Sequence, residues 1–206
     1  MTVLITDPAL EDDLKADRKA RGVDQFDEVW EGMTVMSPAA NNEHQDLAGE
    51  FFLVFRAVVG PPGAGRGRVF QVVNVSDREE GWLYNYREPD VAVFLAGTAA
   101  RDCGTHWVGG PDFAVEILSP GDLAREKRGF YAQVGVLELL YVDRQPWALE
   151  MYRLQDGELR PVGISTPDRT EPLVSAVLPL SFRLVGGPGR PRIEIVRTDG
   201  DGHWAF

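Results

Sequence analysis

Gly110-Pro111-Asp112-Phe113-Ala114-Val115-Glu116-Ile117-Leu118-Ser119-Pro120 decides how this chain is read. Apolar residues from Phe113 to Leu118, bounded by turn formers, predict a short buried strand. Glu116 interrupts it. Burying an unpaired carboxylate costs at least several kcal/mol, so such an acid is expected to be paired, protonated or metal-bound. Alternate side chains on a strand share a face. Asp112, Ala114, Glu116 and Leu118 therefore point one way, and Phe113, Val115 and Ile117 form a core face. Glu116 is expected on the face with smaller neighbours, beside a cleft. Asp112 shares that face but lies ~13 Å away at ~3.3 Å per residue, too far to share an ion with Glu116. It is read as a structural acid at the strand start.

Working outward, Glu88-Pro89-Asp90-Val91-Ala92-Val93-Phe94-Leu95 predicts an adjacent strand that begins with an acid. Neighbouring strands lie ~5 Å apart, so Asp90 is the expected partner of Glu116. Downstream, Asp122 can cap a helix that runs to about Val134 and stops at Gly135. That helix carries Lys127 back over the cleft, with Tyr131 one turn later on the same side. Two carboxylates, waters and a substrate phosphate form an ordinary magnesium shell. The carbonyl of Ile117 can add a ligand. A lysine there would orient an attacking water or stabilise phosphorane charge. The spacing thus points to a site for Mg²⁺ or Mn²⁺ on Asp90, Glu116 and Ile117, assisted by Lys127.

Earlier in the chain, residues 7–22 predict a short, partly exposed helix. Residues 24–38 predict a β-hairpin that turns at Glu31-Gly32. Asn41 or Asn42 can cap the next helix, whose wide apolar stripe (Leu47, Phe51, Phe55, Val58) marks it as buried. It ends before Gly60-Pro61-Pro62-Gly63. His44, at its start, is a further candidate to reach the cleft. Arg68–Val75 predicts a strand, and Ala96–Gly110 a polar connection. Leu137–Asp143 and Ala148–Leu154 pair across Arg144-Gln145-Pro146. Short β segments follow to Leu184. After the linker 186–191, Ile193–Val196 is read as an edge strand and Asp199–Phe206 as loose. These elements predict one mixed sheet with helices packed against it.

The 206 residues suggest a single main domain, with an apolar share of 44% that permits a real core. The expected division is a helical extension over 1–24, a domain over 25–185 and a tail over 186–206. The one cysteine, Cys103, precludes an internal disulfide and fits a cytoplasmic setting. No run reaches the ~20 apolar residues of a membrane helix. The start of the chain lacks a signal-peptide pattern. A net charge of −11 argues against a large phosphate-tracking surface and so disfavours nucleic acid as a partner. It leaves room for a small cation-binding cleft.

Met36-Ser37-Pro38 with Glu43-His44, Glu88-Pro89-Asp90-Val91, the Glu116 strand, Lys127 with Tyr131, and Gly135-Val136-Leu137-Glu138 together resemble the Uma2 family (DUF820). That family belongs to the restriction-endonuclease-like, PD-(D/E)XK superfamily. The resemblance spans about residues 25–155. It implies an α/β fold with a central mixed sheet flanked by helices and extra hairpins. It also implies Asp90 and Glu116 as metal-binding acids, and a homodimer. The superfamily's usual lysine, two residues after the acid, is Leu118 here; Lys127 on the following helix corresponds to it. Met33 stands where many relatives carry an acid, with Glu28 or Glu31 as substitutes.

Two functions follow. The first is a magnesium-dependent nuclease that uses Asp90, Glu116, Lys127, His44 and Tyr131. The alternative is a binding or assembly module that keeps the fold with an Asp90–Lys127–Glu116 ion-pair network. Cys103 and His106 have Cys-x-x-His spacing without two further zinc ligands. Ser119 lies in no nucleophile-elbow context. Arg87 is read as a surface ion pair or a phosphate contact.

Overall fold

The computed structural model describes residues 8–37 and 40–206. The predicted helix start at Asp7 and the motif residue Pro38 lie outside them. Along the chain, α1 (Pro8–Arg21) leads to β1 (Glu28–Trp30), β2 (Met33–Val35) and α2 (Asn42–Val59). Seven strands follow: β3 (Gly67–Gln71), β4 (Val75–Ser76), β5 (Tyr86–Arg87), β6 (Val91–Leu95), β7 (Arg101–Asp102), β8 (Trp107–Val108) and β9 (Phe113–Ile117). After α3 (Arg128–Gln133) come β10 (Glu138–Arg144), β11 (Trp147–Gln155), β12 (Glu158–Ser165), β13 (Leu173–Val174), β14 (Leu180–Val185), β15 (Arg192–Arg197) and β16 (His203–Ala205).

The single mixed sheet expected from the sequence is instead three sheets among the described residues. The central one runs β12-β11-β10-β9-β6-β3, a second runs β2-β1-β5-β4-β8-β7, and a third runs β13-β14-β15-β16. The predicted strand Arg68–Val75 is the point of division. Val72 adopts φ 50°, which a β-branched residue rarely does. The chain leaves the central sheet there and re-enters as β4 of the second. Two short strands, β7 and β8, occupy the predicted connection 96–110.

Strand parity gives the central sheet two buried faces. Val91, Val93, Phe113, Val115 and Ile117 pack with the apolar stripe of α2 and with Phe182, Leu184 and Ile195 of the third sheet. Ala92, Phe94, Ala114 and Leu118 pack with Trp107, Phe130 and Tyr131. Every residue of β9 is buried. The Glu116 face is therefore a second core with a cavity at its edge, where the sequence suggested an open cleft.

Two connections position the site. The turn Glu31-Gly32 has φ 50° and 86°, the two positive values of a type I′ hairpin turn. A Cβ on Gly32 would lie 2.7 Å from the Tyr84 ring. β9 and β10 are parallel, and parallel neighbours need a crossover. A 3₁₀ turn, Ala124–Lys127, continues into α3 to form it. Asp122 shapes its start, accepting from Ala124 N at 3.2 Å and Ser119 N at 2.5 Å.

The end of the chain is not loose. Ile193 and Ile195 are fully buried, β16 pairs with β15, and the Phe206 ring meets Phe51 edge-on at 5.4 Å. Alternation in Ile193 and Ile195 is too short to show this, because the core they join is built from segments far away in sequence.

Candidate active site

β6 and β9 are antiparallel, with Val91 opposite Val115 and Val93 opposite Phe113. The next step of that register sets Asp90 against Glu116. Asp90 Oδ2 accepts the amide N–H of Ile117 at 2.7 Å, and its Oδ1 lies 2.9 Å from His44 Nε2. His44 is fixed by the helix start: Asn41 caps α2 by accepting from His44 N at 2.9 Å. Arg144 ties that cap to the end of β9, donating to Asn41 Oδ1 at 2.9 Å and Ser119 Oγ at 3.1 Å. Ser119 Oγ in turn lies 3.4 Å from His44 Nδ1.

The crossover brings Lys127 and Tyr131 onto Glu116. Lys127 Nζ lies 3.1 and 3.2 Å from the two Glu116 oxygens, and the Tyr131 hydroxyl donates to Glu116 Oε1. The structure thus brings Asp90, Glu116, Ile117, Lys127, Tyr131 and His44 together. Asp112 stands apart, accepting from Leu95 N at 2.7 Å. Leu118, at the superfamily's lysine position, is a core residue.

Sequence reasoning left Glu28 and Glu31 open and did not single out Glu88. Glu28 joins the site. It is 2% exposed, and its Oε1 lies 2.7 Å from Lys127 Nζ and accepts from Glu88 N at 2.7 Å. Its Oε2 accepts from Trp30 Nε1 at 2.7 Å. Lys127 therefore bridges Glu28 and Glu116, while Asp90 pairs with His44. This differs from the Asp90–Lys127–Glu116 network expected from the sequence. Glu31 is spent on the hairpin turn. Glu88 Oε2 is buried with no hydrogen-bond partner. The sequence signal for both is weak: β1 has only three residues, and Glu88 lies between β5 and β6, in neither strand.

Burial raises the Glu116 carboxyl to about 8. Lys127 opposes that rise, and the charges of Asp90 and Glu28 add to it. Burial likewise raises Glu88 to about 8, with Glu28 adding and Lys127 opposing. For Lys127 burial works against the ammonium, but Glu116, Glu28 and Asp90 outweigh it and hold the group above the ordinary lysine range. Tyr131 is pushed well above the ordinary phenol range by burial and by Glu116, and stays a donor. Glu116, Glu88, Lys127, Glu28, Asp90 and His44 line a cavity of about 250 Å³, and Tyr131 lies behind them, fully buried.

Other sequence candidates fall elsewhere. Arg87 is neither a surface ion pair nor free for a phosphate; it is buried, with its guanidinium 4.3 Å from both the Trp30 and Phe130 rings. His106 stacks on Trp82 at 4.8 Å and reaches Arg78 O at 3.2 Å. Cys103 Sγ turns to Arg101 O. Met33 is exposed.

Residues 25–185 match the Uma2 family, described as "Putative restriction endonuclease". The chain belongs to the Uma2 family. Among solved structures, this Uma2 chain is similar to a "putative nuclease belonging to DUF820" from Anabaena variabilis, at 21% identity and a TM-score of 0.56. The match covers 73% of this chain and 83% of that one. At that identity the likeness speaks for the fold, which is restriction-endonuclease-like. No curated protein matches the chain. No helix among the described residues is long and apolar enough to cross a membrane.

Proposed function

We propose that this Uma2 protein is a divalent-metal-dependent phosphodiesterase acting on nucleic acid or its fragments. The observation that carries the reading is the convergence of Asp90 and Glu116, opposite one another on β6 and β9, with Lys127 against Glu116 and His44 against Asp90. Buried titratable groups gathered at a cavity are the usual mark of an active site.

The residues fit a hard cation of the magnesium class. Among the described residues no three His, Cys, Asp or Glu side chains converge on one point. The chain therefore offers two carboxylates, Asp90 and Glu116, with the Ile117 carbonyl beside them. Magnesium is commonly held by one or two carboxylates, with waters and substrate phosphates completing the shell. Glu88 Oε2 is buried and unpartnered beside them, and a cation there would favour its ionised form. When bound, such an ion supplies Lewis-acid polarisation of a phosphoryl oxygen and a more acidic water. Lys127 stays cationic at neutral pH and stabilises charge that builds on the phosphorane. Tyr131 and Glu28 hold the Glu116–Lys127 pair in place. His44, oriented by Asp90 and its helix cap, can move a proton at the mouth of the cavity.

A second reading is favoured by one contact: Lys127 already lies against both oxygens of Glu116. A permanent ion pair would make the protein a binding module. One pair of measurements separates the two. The nuclease reading expects Mn²⁺ or Mg²⁺ binding by calorimetry, and metal-dependent hydrolysis of bis(p-nitrophenyl) phosphate or DNA that disappears in Glu116→Gln. Absence of metal binding, with a melting curve indifferent to metal, would leave the binding module standing.

A further inference from the structure

We infer that the cavity takes a nucleotide-sized phosphodiester, such as a dinucleotide or a frayed chain end, and not a length of duplex. The inference rests on the reading of the cavity as a phosphodiester site, and it follows from where the positive charges are committed.

Affinity for a nucleic-acid polymer comes mainly from lysines and arginines that neutralise successive phosphates, and a duplex presents one charge per ~1.7 Å. Among the described residues, Lys127 is the only lysine or arginine that lines the cavity. It is already held by Glu28 and Glu116. Several arginines that touch or adjoin the lining residues are also engaged, and Arg128, next to Lys127, lies over the Tyr152 ring at 5.0 Å. Arg18 reaches Ser37 O but forks onto Asp27 at 2.5 and 2.6 Å. Arg144 reaches Ser119 but pairs with Glu43 at 3.1 Å. Arg125 is held by Asp143 at 3.0 Å and Glu150 at 2.7 Å. Arg87 is sealed between two rings. With a net charge of −11, the chain as a whole disfavours the run of phosphates that flanks a duplex cleavage site. The site itself has charge enough for one phosphate, through Lys127 and a cation on the carboxylates.

The rest of the cavity suits one base. Phe26 and Val72 line it together with the acids, and Phe26 offers a flat apolar face. Its volume of about 250 Å³ falls below the ~300–1,000 Å³ of pockets for drug-sized ligands. That is room for a single nucleotide unit.

The test uses the full chain with Ca²⁺ in place of a catalytic metal. Binding of fluorescein-labelled thymidylyl-thymidine and of a labelled short duplex is followed by anisotropy, and hydrolysis of both is assayed separately in Mn²⁺. The dinucleotide is expected to bind at least as tightly as the duplex. Its affinity should fall about threefold or less between about 50 and 200 mM salt, the dependence of a single phosphate on a single strand. Phe26→Ala should weaken dinucleotide binding about tenfold, the size of one base–aromatic stack, and leave Mn²⁺ binding unchanged. Duplex binding tenfold or more tighter than the dinucleotide, with a loss of about 10³ over the same salt range, overturns the inference. So does a dinucleotide that fails to bind, or a Phe26→Ala protein that binds it normally. The two readings fail separately. Duplex hydrolysis with a steep salt dependence removes the size limit and keeps the nuclease. Dinucleotide binding without hydrolysis in Mn²⁺ does the reverse.

Discussion

Lys127 and Glu28, from a crossover turn and the opening hairpin, meet at 2.7 Å between Nζ and Oε1. Both are almost wholly buried, with side-chain exposures of 12% and 2%. Removing one partner of a buried pair leaves an uncompensated charge, which costs about 3–5 kcal/mol. Lys127→Met strips Glu28 and Glu116 of their shared cation. It is expected to lower stability by about that amount at pH 8, and by less at pH 5, where Glu116 can take up a proton. Urea unfolding at the two pH values measures this. An equal loss at both would show that Glu116 does not respond.

The raised carboxyls set a direction for pH. A carboxyl whose folded pKa stands above its unfolded value stabilises the fold when protonated. That contribution is complete below the ordinary value of 4.5 and is lost as pH rises through about 8. Metal-free protein is therefore expected to lose stability between pH 5 and 8 through Glu116 and Glu88. Glu116→Gln, neutral throughout, should flatten the slope. Unfolding midpoints across that window decide it, and an unchanged slope in Glu116→Gln would count against the assignment.

Metal binding should displace the same proton, because ligands bind deprotonated. At pH 6.5 to 7, calorimetric titration of Mn²⁺ in buffers of different ionisation enthalpy should report release of about one proton. Asp90→Asn keeps an oxygen for the Ile117 amide, so the fold should survive while Mn²⁺ affinity falls at least tenfold. Full affinity in Asp90→Asn would remove it from the metal site.

Deleting residues 203–206 removes β16 and the contact of Phe206 with Phe51. Phe206 is only half-buried, so the expected cost is about 1–2 kcal/mol from the lost apolar area and ring pair. A thermal melt unchanged by the deletion would show that these strands hold nothing.

Much of the site was legible in local sequence. Strand parity placed Glu116 away from the Val115 face, distance removed Asp112, and helical spacing joined Lys127 to Tyr131. Parity could not show that the Glu116 face is closed, because its cover, Trp107 and Phe130, comes from separate segments. Glu28 stayed ambiguous for a related reason: a three-residue strand has too little alternation to declare a buried side. The separation of the central sheet from the second falls at one positive φ, at Val72 between β3 and β4, a residue whose type predicts the opposite.

The seam between the first two sheets also determines when the site comes into being. Glu28 sits in the hairpin sheet, Asp90 and Glu116 are carried by central strands, and Lys127 and His44 by two separate helical segments. Contacts this distant along the chain close late, since loop-closure entropy is met before they return any free energy. A half-folded or nascent chain therefore lacks the cluster, and under the proposed reading any hydrolysis would report on completed folding.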